Sequence, residues 1–111
     1  MNERGSGTVL GVALLGAIML AASAALTAVS AFAGLQGAQN AADAAALAAA
    51  DTLSGRDPGY PCANASRAAT LDGASVVSCS TDGLIAAVTV SRAWARLELS
   101  ARARAGPPGS G

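Results

Sequence analysis

The chain divides into stretches of unlike patterning. From Thr8 to Ala33 it reads TVLGVALLGAIMLAASAALTAVSAFA, apolar or small at almost every position and without a charge. Hydrophobicity goes all round, with no polar stripe, which suits a helix facing lipid better than one half-exposed to water. Roughly 20 apolar residues cross about 30 Å of hydrocarbon as a helix, so this stretch predicts a membrane span over residues 8–33. The helix is expected to continue through GAQNAADAAALAAADTL, residues 37–53, which is rich in the best helix former and free of Pro. From Ser6 to Leu53 it would run roughly 70 Å at about 1.5 Å per residue. Asp43 and Asp51 mark one wetter stripe, while Ala42, Ala45, Ala46, Ala49 and Leu47 offer a smooth packing surface. Ser54-Gly55, then Asp57-Pro58-Gly59, stop the helix.

The pattern then changes. PCANASRAATLDG predicts a short helix from Pro61 to Leu71, with Pro in its first turn and Asp72-Gly73 at its end. ASVVSCS (74–80) and LIAAVTV (84–90) are strand-like and joined across Thr81-Asp82-Gly83, a hairpin signal. In AWARLELSARARA, residues 93–105, propensity favours helix. The polar positions Arg96, Glu98, Ser100, Arg102 and Arg104 nevertheless alternate with Ala95, Leu97, Leu99, Ala101 and Ala103, and that period of two predicts a half-buried strand. The fold class expected is α+β: a long N-terminal transmembrane helix, then a small disulfide-closed domain with a short helix and a two- to three-stranded antiparallel sheet. The boundaries are 1–5 for a leader, 6–53 for the long helix, 54–60 for a linker, 61–105 for the small domain and 106–111 for a disordered end.

Composition sharpens this picture. Hydrophobic residues make up 52% of the chain and charged residues 13%, about half the usual charged share. Aromatics are 3%, so any core must be built from Val, Leu, Ile and Ala. With the span removed, fewer than about 80 residues remain to fold in water, a size that needs bracing. The only cysteines, Cys62 and Cys79, can supply it. Cys62 starts the short helix, and Cys79 is expected on the first strand, on the same face as Val77. A structural disulfide between them would contribute about 3 kcal/mol and place the domain in an oxidising compartment. Two buried free thiols are the other reading. Metal binding lacks further ligands, and the CxxC spacing of a redox pair is absent.

Net charge is zero, with seven Arg and neither Lys nor His, which argues against nucleic-acid binding. Arg92, Arg96, Arg102 and Arg104 gather late and read as a solvated strand face in preference to the alternative, a phosphate or lipid patch. Without His, Ser-His-Asp and Cys-His arrangements are excluded; there is no Walker loop and no acidic metal cluster. No catalytic, metal-ligating or cofactor-binding residue is assigned, and no enzyme activity is expected. Asn64-Ala65-Ser66 matches a glycosylation sequon, a pattern short enough to arise by chance.

Within the apolar run, Gly7 and Gly11 form a GxxxG pair, and Ala17, Ala21 and Ala25 continue at four-residue steps. Such a face lets helices approach closely in lipid. A positive-inside count places the C-terminus inside, because six of the seven bases follow the span. Most of them lie too far beyond it for the rule to bind, and the cysteines favour the opposite orientation.

The ERGS start, the hydrophobic helix without a spacer, the QNAADAAALAAA block and the paired PCA and VVSC segments with their following DGL carry a family likeness. The chain resembles the TadE/TadG-like pseudopilins of tight-adherence (Flp, type IVb) pilus systems, in particular the short actinobacterial TadE-like branch. The resemblance implies a non-enzymatic, single-pass membrane subunit taking part in assembly of a pilus or related secretion apparatus. Its C-terminal domain would be extracytoplasmic, and extracellular once in a pilus. Its partners would be the lipid bilayer, other pilin-like subunits through the N-terminal helix, and a prepilin peptidase cutting between Gly5 and Ser6, or secondarily between Gly7 and Thr8. Glu3 and Arg4 would then belong to a leader that is read and removed. The chain departs from the pilin pattern where a Glu is usual five residues into the mature protein. Leu10 or Val12 stands there, which favours a minor subunit over a major repeating one.

Two other readings compete. Ala31-Phe32-Ala33 before Gly34 fits a signal peptidase site, which would make this a secreted or membrane-anchored small protein. Against that, the apolar run exceeds the usual 7–15 residues of a signal peptide, and a domain starting at Gly34 would expose the Ala-rich helix with little to pack on. The other is a bitopic scaffold that is never cleaved.

Overall fold

A computed structural model describes residues 3–108, with side chains from Gly5 onward. Residues 1 and 2 of the expected leader and 109–111 of the expected tail lie outside the described residues. The elements are α1 (Glu3–Leu53), α2 (Pro61–Leu71), β1 (Ser75–Asp82), β2 (Ile85–Trp94) and β3 (Leu97–Ala105). The fold is α+β, with an antiparallel sheet in the order β1-β2-β3. The chain forms two compact units, 1–32 and 33–111.

The first unit is helical throughout its described residues. Its large apolar side chains face outward: Leu10, Ile18, Leu20, Leu26 and Phe32 are between 56% and 75% exposed. The hydroxyls of Ser23 and Thr27 donate to the carbonyls of Met19 and Ser23, each at 2.9 Å and one turn back. These polar groups are therefore satisfied within the helix, as a hydrocarbon surrounding requires. This part of α1 is long and apolar enough to cross a membrane, and none of its most apolar window is buried.

Among the described residues, the second unit has a single core cluster. Ala38, Ala41, Ala42, Ala45, Ala46 and Ala49 of α1 recur at three- and four-residue spacing and are all buried. All of them but Ala38 cluster with Ala65 and Ala69 of α2 and Ala86, Val88 and Val90 of β2. The packing role expected of Ala42, Ala45, Ala46 and Ala49 holds; that of Leu47 does not. Leu47 is 57% exposed, because it lies four residues from both Asp43 and Asp51 and so falls on their stripe.

Both helices end in the same way. Gly55, at φ +85°, donates to Thr52 O, and Arg56 donates to Asp51 O. Gly73, at φ +75°, donates to Thr70 O, and Ala74 donates to Ala69 O. Each pair is a Schellman closure, with glycine at the left-handed position. Asn64 ties the linker down, donating to Thr52 Oγ1 at 2.7 Å and Pro58 O at 3.0 Å. The asparagine of the sequon is therefore a structural link between α1, the linker and α2.

Cys62 and Cys79 form the disulfide, joining α2 to β1 with Cα atoms 5.9 Å apart. The expected facing of Cys79 is corrected. A register shift between Val76 and Ser78 marks a bulge at Val77, and one extra residue reverses the alternation. Val76 and Cys79 both pack against the core, whereas Val77 is 61% exposed.

The segment 93–105 is corrected too. It is not one strand: Trp94 pairs with Leu97, so Ala95-Arg96 form a tight hairpin loop. Ala95 takes φ +53°, a left-handed conformation that no Gly, Asn or Asp announces. Beyond the turn the period of two holds, with Leu99, Ala101, Ala103 and Ala105 half-buried between exposed polar residues. The first hairpin is tighter than expected: Asp82 pairs with Ile85, leaving Gly83-Leu84 as its loop, with Gly83 at φ +61°.

Two measurements test this core. Replacing both cysteines by Ala should lower stability by about 3 kcal/mol in denaturant titration, and thiol titration without reductant should find no free thiol. Ala45→Leu should cost about 1–3 kcal/mol by overpacking, while Leu47→Ala stays within about 0.5 kcal/mol.

Candidate functional surfaces

Gly5, Ser6, Gly7 and Gly11 all lie on exposed surface of α1. A side chain added at Gly5, Gly7 or Gly11 would meet nothing within 4 Å. The Gly7–Gly11 face is thus open to a neighbouring helix. The bond between Gly5 and Ser6 lies three residues into α1, at a helix end where local opening costs little. A peptidase would need the first turn to unwind before cutting there. Leu10 and Val12 are also exposed on this helix.

In the second unit, the four late arginines do not share one face. Arg96, Arg102 and Arg104 are exposed, as a solvated strand face requires. Arg92 is half-buried, because it continues the inward series Ala86, Val88 and Val90 along β2. Its guanidinium lies over Gly37 of α1, where a Cβ would collide with Nη1. One step along the strand, Trp94 does the same at Gly34. A Cβ there would sit 2.9 Å from Trp94 Cδ1 and 3.0 Å from Leu99 Cδ1.

These two glycines are the site residues that the reading of the sequence missed. A signal was present: in an Ala-rich helix each Gly costs about 1 kcal/mol relative to Ala, so Gly34 and Gly37, one turn apart, mark a close approach. Nearby, Gln39 Nε2 donates to Asp43 Oδ1 at 3.1 Å and to the carbonyl of Arg102 at 3.2 Å, pinning β3 to α1.

A cleft of about 480 Å³ lies on the Asp43–Asp51 side of α1. Leu47, Asp51, Arg56, Leu84, Arg104 and Pro107 are among its lining residues. Gly106–Pro108, expected to belong to a disordered end, are described here as part of that lining. Asp51 and Arg56 approach only to 3.9 Å across an exposed surface, a pair that contributes little. Among the described residues, no group of three or more His, Cys, Asp or Glu could hold a metal ion.

No protein-family model, no curated protein and no solved structure matches this chain. What the geometry offers is surface: an apolar helix without a covering layer, and a hairpin tip seated on two helix glycines.

The seat at Gly34 is directly testable. Gly34→Leu should displace Trp94, costing about 1–3 kcal/mol and changing the near-ultraviolet circular dichroism of the chain's single tryptophan. An unchanged spectrum would show that Trp94 does not depend on that glycine.

Proposed function

We propose that the protein is a non-enzymatic, pilin-like membrane subunit, a minor pseudopilin acting in assembly of a type IVb/Tad pilus or related secretion apparatus. The observation that carries this reading is the dual use of α1. Its first part presents large apolar side chains outward, and its last part supplies the alanine face of the C-terminal core. One helix thus serves as anchor and as framework of the domain. A subunit built this way is held in lipid by the same element that neighbouring subunits can pack against once it leaves the bilayer.

Further support comes from the disulfide, which persists in oxidising compartments and favours an extracytoplasmic C-terminal unit with the N-terminus inside. The open Gly7–Gly11 face suits helix–helix contact in lipid. Leu10 and Val12 cannot neutralise a neighbour's N-terminal amine, so the subunit is assigned a minor role rather than that of the repeating shaft.

One observation favours a second reading, a secreted protein with a signal peptide cut after Ala33. The second unit has its own core, and the Ala-rich helix is buried inside it. The expectation that a domain starting at Gly34 would leave this helix with little to pack on is therefore wrong. Sheet and α2 already cover it.

Intact mass and N-terminal sequencing of the protein from its native membranes separate these readings. Prepilin-type processing predicts a chain starting at Ser6, or at Thr8. A chain starting at Gly34 would overturn the pilus assignment, and an uncut chain would make it a simple membrane scaffold.

A further inference from the structure

We infer that the β2–β3 hairpin tip is a membrane-interface anchor, in which Arg92 and Arg96 engage anionic lipid headgroups while Trp94 and Leu97 seat in the interfacial layer. The inference rests on the reading of residues 8–33 as a membrane span, but on neither its orientation nor any pilus.

Position along the helix is the first argument. The apolar run ends at Ala33. The tip packs on the two glycines that follow it, with Trp94 and Leu99 at Gly34 and Arg92 at Gly37. At about 1.5 Å per residue, these seats lie roughly 2–6 Å past the end of the run. The headgroup layer on each side of a bilayer is roughly 5–7 Å thick. Whatever sits on Gly34 and Gly37 is therefore held, by covalent connection alone, within headgroup reach of the end of the run.

The second argument is chemical. Arg92 is half-buried, yet its side chain makes no ion pair or hydrogen bond among the described residues. The helix face beneath it carries no acid, since residues 33–42 are uncharged. The tip's one carboxylate, Glu98, accepts a hydrogen bond from Ser91 Oγ at 3.1 Å, in the alternating set that faces away from α1. A planar guanidinium without an acceptor among the described residues matches a phosphate, which it can bind through two N–H groups at once. Arg96 adds a second base at the turn itself.

The apolar members complete the pattern. Leu97 is 60% exposed, at a tip where water would gain nothing from it. Tryptophan is enriched at membrane interfaces because its ring is amphipathic. Arginine next to it can lay its aliphatic stem along apolar surface and keep its head among phosphates. A tip combining these residues, covalently next to a span, fits a lipid surface better than bulk water.

The single tryptophan makes the test specific. The full chain is reconstituted into vesicles of phosphatidylcholine, with or without phosphatidylglycerol, and flotation establishes whether it is membrane-held. Emission from Trp94 is then quenched in turn by lipids brominated near the headgroup and by aqueous acrylamide. The expected result is strong quenching by the brominated lipid and weak quenching by acrylamide, with the contrast larger in the anionic vesicles. Arg92→Gln and Arg96→Gln should each reduce that contrast, by roughly fivefold in the population of the seated tip, in anionic vesicles only. Arg96 lies in an exposed turn, so its variant reports on lipid rather than on folding.

A chain that floats but whose Trp94 is quenched by acrylamide alone would overturn the inference and leave the membrane span intact. Shielding from both quenchers would also overturn it, because protein rather than lipid would then cover the tip. An unchanged contrast in both variants would remove the arginines from the anchor. A chain that does not float would instead reject the span itself.

Discussion

The layer between α1 and the sheet is made almost wholly of methyl groups. Six alanines of one helical face are buried, and the largest fully buried side chains in the protein are Val88 and Val90. A core of such small residues removes little apolar area per residue from water, at roughly 25 cal/mol per Å². Its stability therefore depends on close approach of helix to sheet, where each methyl finds many neighbours. Much else in the unit serves that approach. Gly34 and Gly37 remove side chains where Trp94 and Arg92 must pass. The bulge at Val77 turns Val76 and Cys79 toward the helices together. The disulfide then ties α2 to β1 and limits the unfolded chain, offsetting what a thin core lacks.

The two units place opposite demands on one helix. Residues 8–33 expose bulky Leu, Ile, Val and Phe, and the hydroxyls of Ser23 and Thr27 bond back within the helix. Residues 38–51 bury alanines and show Asp43, Leu47 and Asp51 on the other side. The first pattern is stable against lipid or against other apolar helices; the second is stable against this sheet. The change occurs within about one turn, around the glycines at 34 and 37. The hairpin tip is seated there, and so the chemistry of the tip matters more than its size suggests. Its residues are suited to a boundary between phases rather than to either phase alone.

Much of this was legible in the sequence. The apolar run, the end of α1 at Leu53, both bounds of α2 and the pairing of two cysteines follow from local signals: uniform hydrophobicity, glycines after helical runs, Pro in a first turn, and a cysteine count of two. Three features were not. The bulge at Val77 leaves no mark in VVSC, where either valine could face inward. The turn at Ala95-Arg96 lacks every residue that usually announces one, and the alternation of 93–105 passes through it without interruption. Arg92 looked like its three neighbouring arginines, although its place on β2 puts it on the core side.

Local signals along the chain set which segments are helical, where they stop, and that the first of them is too apolar and too long for the core of so small a domain. These follow from propensity, periodicity and hydrophobicity, which act over a few residues. Long-range packing chose which face each strand residue takes, which glycines serve as seats, and which arginine is drawn inside. Those choices depend on register, and register is set by contacts between residues far apart in the chain. One extra residue in a strand reverses every facing beyond it.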